Sequence, residues 1–330
     1  MTLFQHIAVV GAGAWGTALA NAAARAGRDV TLITRDTDHA NEMQTARENR
    51  RRLPGVRLED RVTASSDLSR AATARAVLLV TPAQNCTAMA EALALVLKPG
   101  VPVVLCAKGI DRASGLFLGD LIVDVLPRQP FAVLSGPSFA EDVSRGLPTA
   151  VSLACTDMVI AEALAAALSG MTLRVYHGTD VRGVEIGGAA KNVLAIACGA
   201  VIGKGLGESA RAALVARGFA ELMRFAAAYG AQAQTLMGLS GLGDLVLTAS
   251  SLRSRNFAFG HALGQGISVA EASGGKLAEG ALTAAALVGL AAARNVDMPI
   301  CMQVAGLVSG KISLDEAFTA LMTRPARAEI

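Results

Sequence analysis

The sequence predicts an α/β fold in two parts: an N-terminal, doubly wound sheet over residues 1–179 and an all-α domain over residues 180–330. Three observations carry this reading. Short apolar runs alternate with helical patterns through the first half, the signature of parallel strands joined by helices on both faces of a sheet. A glycine-rich stretch, Gly11-Ala12-Gly13-Ala14-Trp15-Gly16, stands where the first strand meets the first helix. Beyond about Thr179 strand-like alternation disappears, and long Ala/Leu/Gly segments break at the glycine clusters Gly203–Gly207 and Gly238–Gly243.

In chain order, His6–Val10, Asp29–Ile33, Ala76–Thr81, Val101–Cys106 and Phe131–Leu134 read as strands, and Thr149–Leu153 and Leu173–Tyr176 are placed to extend the same sheet. Ala14–Ala26, Ala83–Leu97, Leu116–Val125 and the Ala/Leu-rich Ala161–Leu168 read as helices between them. In the second half, Ala281–Ala293 is apolar but too short to span a bilayer and is closed by Arg294 and Asn295, so it reads as a core helix.

Composition narrows the function classes. With 330 residues, 52% apolar and 17% charged, the chain can bury a large core, and global disorder is excluded. Aromatics at 4% and abundant alanine favour closely packed helices. A net charge of +3 is too small and dispersed for a nucleic-acid partner, and Arg50-Arg51-Arg52 reads as a solvated loop or a local anion contact. Cys86, Cys106, Cys155, Cys198 and Cys301 are odd in number, widely spaced and set among apolar residues, which suits buried thiols in a reducing, cytoplasmic compartment. No CxxC pair suggests a metal, and neither a signal peptide nor a membrane span is expected.

The glycine motif gains force from its context, with a strand before it, a helix after it and a second strand ending about twenty residues on. Gly11 permits the tight turn, Gly13 leaves room for a pyrophosphate, and Gly16 lets the helix lie close to the sheet, a Rossmann-type dinucleotide site. The helix start adds free N–H groups and a positive dipole end. An acidic residue at the end of the second strand would hold the ribose of NAD, whereas an arginine accommodates the 2′-phosphate of NADP. The run is Ile33-Thr34-Arg35-Asp36, so Arg35 favours NADP(H) and Asp36 leaves NAD(H) open. Trp15 either covers the cofactor or fills the gap beside the loop.

Four further stretches are polar for their surroundings. Lys108, in Ala107-Lys108-Gly109-Ile110, follows a strand end, where open α/β sheets bind ligands, and offers a cation for an anionic substrate or is a surface lysine. Gly136 and Ser138, after another strand end, can present N–H or hydroxyl groups. Lys191 shares a helix face with Gly187, Gly188, Leu194 and Ala195. Small neighbours would admit a ligand and leave the amine partly dry, a setting suited to acid–base work; otherwise it is a lysine snorkelling from a buried helix. Asp244 is a turn residue or a ligand to a substrate hydroxyl. Ser254-Arg255-Asn256 suits a phosphate at a helix start, or a plain capped helix.

Together GAGAWGTALA, RLPG, CAKGI, LSGPSFAEDVSRGLPTAV, GVEIGGAAKNVLAIACG, RAALVARGFAE, MGLSGLGDLVLT, SRNFAFG and GKLAEGALT resemble the bacterial-type NAD(P)-dependent glycerol-3-phosphate dehydrogenase family. The resemblance implies reversible hydride transfer between NAD(P)H and dihydroxyacetone phosphate, with Lys191 moving the proton. It implies that Lys108, Gly136, Ser138, Lys191, Asp244, Ser254, Arg255 and Asn256 hold the phosphorylated substrate. Beside the glycine turn (Gly11, Gly13, Ala14, Gly16), it implies that Trp15, Arg35, Lys108, Ala140, Arg255, Leu277 and Glu279 touch the nucleotide. A homodimer supplying glycerol 3-phosphate to phospholipid synthesis fits the same likeness. Ala14 stands where the family usually has serine, and Arg52 where an aromatic residue often precedes LPG. The rival readings are a two-domain hydroxy-acid dehydrogenase and a non-catalytic NAD(P)H-binding regulator.

Overall fold

The structure, a computed structural model, describes residues 3–275 and 277–325. Residues 1, 2, 276 and 326–330, which fall within the two predicted domain ranges, lie outside the described residues. The chain divides into two compact units.

The first unit comprises residues 3–108, Phe117–Glu185 and Gly238–Ser240. Its elements follow in order as β1 (His6–Val10), α1 (Ala14–Arg25), β2 (Asp29–Ile33), α2 (Thr37–Ala46), β3 (Val62–Ser65), β4 (Ala76–Leu79), α3 (Cys86–Ala94), β5 (Val103–Leu105), α4 (Leu118–Val125), β6 (Phe131–Ser135), α5 (Ala140–Ser144), β7 (Thr149–Cys155), α6 (Met158–Leu168) and β8 (Leu173–Gly178). The eight strands lie in the order β3-β2-β1-β4-β5-β6-β7-β8. The first six are parallel, with Ile7 opposite both Val30 and Ala76. The order reverses at β1, between β2 and β4, the switch point at which such sheets take a ligand.

Burial explains the apolar runs. Ile7 and Val9 join one buried cluster while Ala8 and Val10 join another, and Ala76 and Leu78 alternate in the same way with Val77 and Leu79. Side chains of period two therefore feed two cores, one on each face, and the strands read as continuous apolar stretches.

The structure departs from the predicted elements in four places. Strand β7 extends the sheet but runs antiparallel to β6, with Ser135 opposite Ser152 and Ala132 opposite Cys155. The connection between them holds only the five-residue α5, so the chain returns from the end of the sheet where β6 left it. A crossover helix spanning the sheet would be needed for parallel pairing. Strand β8 then pairs parallel with β7. The predicted elements also leave out α2, β3 and the five-residue α5. Helix α2, TDHANEMQTA, buries only His39, Ala40 and Met43, too few to mark a period, and is started by the Asp36 side chain accepting from the His39 amide at 2.9 Å.

The second unit comprises Gly109–Leu116, Ile186–Met237 and residues 241–325. Helix α7 (Val181–Gly203) contributes its first turn to the first unit and the rest here. It is followed by α8 (Gly207–Ala228), α9 (Ala233–Met237), a π-helical turn over Leu239–Gly243, α10 (Asp244–Thr248), α11 (Arg255–Gly264), α12 (Val269–Ser273), α13 (Glu279–Ala293), α14 (Pro299–Val308) and α15 (Leu314–Met322). By length and composition α7 could cross a membrane, a feature that counting uninterrupted apolar runs misses, but 78% of its most apolar stretch is buried. It is a core helix. Its glycines explain the close packing: a Cβ on Gly199 would lie 2.1 Å from the Phe257 carbonyl oxygen, and one on Gly260 would lie 2.0 Å from that of Ile196. Helices α7 and α11 thus meet backbone to backbone.

Candidate active site

The glycine turn leaves β1 at the switch point. Gly11 has φ +116°, open to glycine alone in practice, and its amide donates to the Ile33 carbonyl at 2.8 Å. A Cβ on Gly16 would fall 1.8 Å from the Gly11 carbonyl oxygen, so this residue sets how closely α1 approaches the turn. A Cβ on Gly13 would meet nothing within 4 Å. That open face lies at the start of α1, which has neither an acidic residue in its first turn nor a side-chain cap. These N–H groups and the positive helix end suit an anion. Trp15 and Ala140 pack partly buried against the same core cluster as Ala14, and the Trp15 indole N–H is buried without a protein partner. The residues present therefore fit a dinucleotide.

At the end of β2 the two competing residues are in different situations. Asp36 caps α2 and pairs with Arg51 at 3.0 Å. The His39 amide, aided by Arg51, holds its carboxyl below the usual carboxylate range. Arg35 is exposed and has no hydrogen-bond or ion-pair partner among the described residues.

Three predicted residues meet beyond β5 and β6. The Lys108 ammonium donates to the Gly136 carbonyl at 3.1 Å, and the Ser138 hydroxyl donates to the same oxygen at 3.0 Å. Gly136 has φ +154°, and a Cβ there would approach the Val151 Cα to 2.8 Å, so the turn after β6 requires glycine. The neighbouring Ser135 hydroxyl is buried without a protein partner.

Within the helical unit, Lys191 is buried rather than snorkelling, its side chain 8% exposed. Its Nζ donates to Asp244 Oδ1 and to Thr248 Oγ1, each at 2.6 Å. The Thr248 hydroxyl lies 3.4 Å from the same Asp244 oxygen. Asp244, read from the sequence as a turn residue or substrate ligand, thus faces the lysine. The π-helical turn delivers it: a Cβ on Gly241 would sit 2.0 Å from the Leu236 carbonyl oxygen, so only glycine closes this turn. Thr248 escaped the sequence reading, although its place four residues after Asp244 puts both on one helix face.

Asn256 is also tied inward. Its amide donates to Asn192 Oδ1 at 3.0 Å and its oxygen accepts from the Gly280 amide at 2.8 Å, joining α11 to α7 and α13. Ser254 caps α11 by accepting from the Phe257 amide at 3.3 Å. Arg255 is exposed and borders a pocket of about 260 Å³ shared with Phe259, Ser273 and Leu277. Glu279 opens α13 two residues beyond Leu277.

Two buried carboxyls were unforeseen. Glu185 accepts from the Gly119 amide at 2.7 Å and from Arg182 at 3.0 Å, anchoring the start of α4 to α7. Burial pushes its carboxyl up to about 7, with Arg182 and the amide pulling back. Glu221 accepts from the Ile300 and Cys301 amides at 2.7 and 3.2 Å, capping α14, and burial raises it likewise to about 7.

A dinucleotide turn on a mostly parallel sheet, joined in one chain to a helical unit with a buried, carboxylate-held amine, defines a nicotinamide-dependent oxidoreductase. Residues 6–161 match the family described as NAD-dependent glycerol-3-phosphate dehydrogenase N-terminus, and residues 180–319 match its C-terminus. The chain belongs to this NAD-dependent glycerol-3-phosphate dehydrogenase family. It is 61% identical to glycerol-3-phosphate dehydrogenase [NAD(P)+] of Azorhizobium caulinodans over 329 residues, covering 100% of both chains. It is also 61% identical to that of Methylobacterium radiotolerans, covering 100% of this chain and 99% of the relative. The crystal structure of glycerol-3-phosphate dehydrogenase from Coxiella burnetii superposes with a TM-score of 0.92 at 36% identity, covering 98% of this chain and 100% of that one.

Proposed function

We propose that this enzyme reduces dihydroxyacetone phosphate to sn-glycerol 3-phosphate, with NADPH preferred over NADH and Lys191 as the proton donor. The observation that carries the reading is the buried Lys191 amine, 2.6 Å from both Asp244 and Thr248. When bound, the nicotinamide supplies the hydride that reduces substrate C2. Negative charge then grows on the carbonyl oxygen, and a fixed ammonium in a dry site stabilises that charge and delivers a proton to it. Asp244 and Thr248 hold the amine in place, so little reorganisation is needed as the charge develops. Lys108, beside Gly136 and Ser138, is a second cation for the glycerol end. Arg255 and the start of α11 suit the phosphate, whose binding energy fixes the reacting end. Leu277, which borders the same pocket as Arg255, and Glu279, two residues on, suit the nucleotide.

The preference for NADPH is supported by Asp36 being engaged with Arg51 and the α2 amide while Arg35 is free to meet a 2′-phosphate. Five buried cysteines, none of them in a disulfide among the described residues, support a reducing, cytoplasmic setting. A homodimer, expected from the family likeness, is testable by light scattering.

The direct test follows the loss of reduced-nicotinamide absorbance with dihydroxyacetone phosphate, with NADPH and NADH in parallel and a 2-oxo acid as the alternative substrate. Turnover of the phosphorylated ketone, faster with NADPH, is expected. Turnover of the 2-oxo acid alone would overturn the substrate assignment, and equal efficiency with both nucleotides would overturn the preference.

A further inference from the structure

We infer that Asn49 is a positioning residue for the dinucleotide, acting through the peptide planes of the glycine turn. It lies on the segment between α2 and β3 and is fully buried. Its amide nitrogen donates to the Ala12 carbonyl at 3.1 Å and to Thr17 Oγ1 at 2.7 Å. Thr17 in turn donates to the Gly13 carbonyl at 2.9 Å. Both Asn49 amide hydrogens are thereby engaged, so its oxygen is the atom 2.8 Å from His39 Nε2, and His39 carries its proton there. The Asn49 carbonyl also accepts from the Arg52 and Leu53 amides at 3.2 and 2.8 Å, which holds the residue in a closed turn.

The consequence follows from the geometry of a trans peptide. Each carbonyl shares a rigid plane with the next residue's N–H, which points the opposite way. Pinning the Ala12 oxygen therefore aims the Gly13 N–H, and pinning the Gly13 oxygen through Thr17 aims the Ala14 N–H. These are the donors at the open face where a Cβ on Gly13 would meet nothing within 4 Å. Successive N–H groups held in one direction make a concave anion site, and free rotation of either plane would turn a carbonyl oxygen towards the phosphates instead. Asn49 touches neither nucleotide nor substrate in this scheme. It sets the aim of groups that do.

This rests on the dinucleotide reading of the turn, so the experiment begins with the wild-type protein. Isothermal titration with NADPH and with NADH gives its dissociation constants, and absence of binding overturns that reading and the inference together. Asn49→Asp is nearly isosteric but places an acceptor against the Ala12 carbonyl. The dissociation constants of both nucleotides should rise tenfold or more, by similar factors, while kcat at saturating nucleotide stays within about threefold. In the nucleotide-free protein the Thr17 amide, which donates to the Gly13 carbonyl, should exchange its hydrogen faster. His39→Gln, which restores a donor to the Asn49 oxygen, should bind nearly as wild type. Thr17→Val gives a second route should Asn49→Asp not fold, and its loss of affinity should not add to that of an Asn49 variant. Wild-type dissociation constants in folded Asn49→Asp or Thr17→Val, or an unchanged Thr17 exchange rate, would overturn the inference.

Discussion

Replacing Lys191 with methionine keeps the stem and removes the charge. At 2.6 Å from Asp244, the pair interacts by about 6 kcal/mol in a medium of effective dielectric about 20. The lysine's own desolvation offsets part of this. The carboxylate left behind has a side chain only 1% exposed, and a neutral hydroxyl such as that of Thr248 cannot balance its charge. Removing one partner of a buried pair typically costs about 3–5 kcal/mol, which should lower the unfolding temperature of the helical unit by roughly 6–20 °C. If the amine is also the proton donor, turnover should fall by a factor of about a hundred to ten thousand. The two effects separate in a double variant. Lys191→Met with Asp244→Leu replaces both partners by apolar groups and should recover much of the stability without recovering turnover. Thermal unfolding and the NADPH absorbance assay read the two quantities, and NADPH titration confirms that the cofactor still binds. Turnover of Lys191→Met within tenfold of wild type, or activity returning with stability in the double variant, would refute the reasoning.

The other predictions concern the cofactor turn and one buried acid. Gly16→Ala, whose Cβ would overlap the Gly11 carbonyl at 1.8 Å, should force α1 away from the turn and abolish measurable NADPH binding; retained affinity would reject this packing role. Arg35→Ala should lower kcat/KM for NADPH roughly ten- to a hundredfold, since hydrogen bonds to charged groups are worth about 1.5–3 kcal/mol, and leave NADH nearly unaffected. An equal loss with both nucleotides would place Arg35 elsewhere. For Glu221, burial raises the carboxyl from 4.5 to about 7, so the native protein keeps a proton that the unfolded chain has released between those values. This contribution is full below pH 4.5 and declines as pH rises, by at most about 1.4 kcal/mol per pH unit, until it is lost above about pH 7. Stability of the wild type should therefore fall with rising pH relative to Glu221→Gln across this window; parallel curves would show that the acid is not shifted.

Local patterns made much of the fold legible. HIAVV has to be buried on both faces, and only a sheet covered by helices offers that. The spacing of Gly11, Gly13 and Gly16 was legible because the strand before it and the helix after it are its immediate neighbours in the sequence. The small and apolar neighbours of Lys191 likewise suited a buried helix, although they gave neither its length nor the helix it would cross. Family likeness carried the reaction, because it sums motifs along the whole chain. What the sequence alone could not decide were direction, partner and distance. Strand β7 has the composition of a parallel strand, yet its direction depends on the chain between it and β6 staying at one end of the sheet. Asp36 leaves NAD(H) open in the sequence, and only the fold sets Arg51, fifteen residues on, beside it. Lys191 could be solvated or buried by its spacing, and what decided this was a carboxylate 53 residues away, brought close by a π-helical turn. Asn49 carries no local signal at all. A sequence determines backbone preference and burial over a few residues, because those terms act over a few residues. Hydrogen bonds and charge pairs between remote segments exist only once the packing has placed them, so tertiary structure alone assigned the partners of Lys191, Asp36 and Asn49.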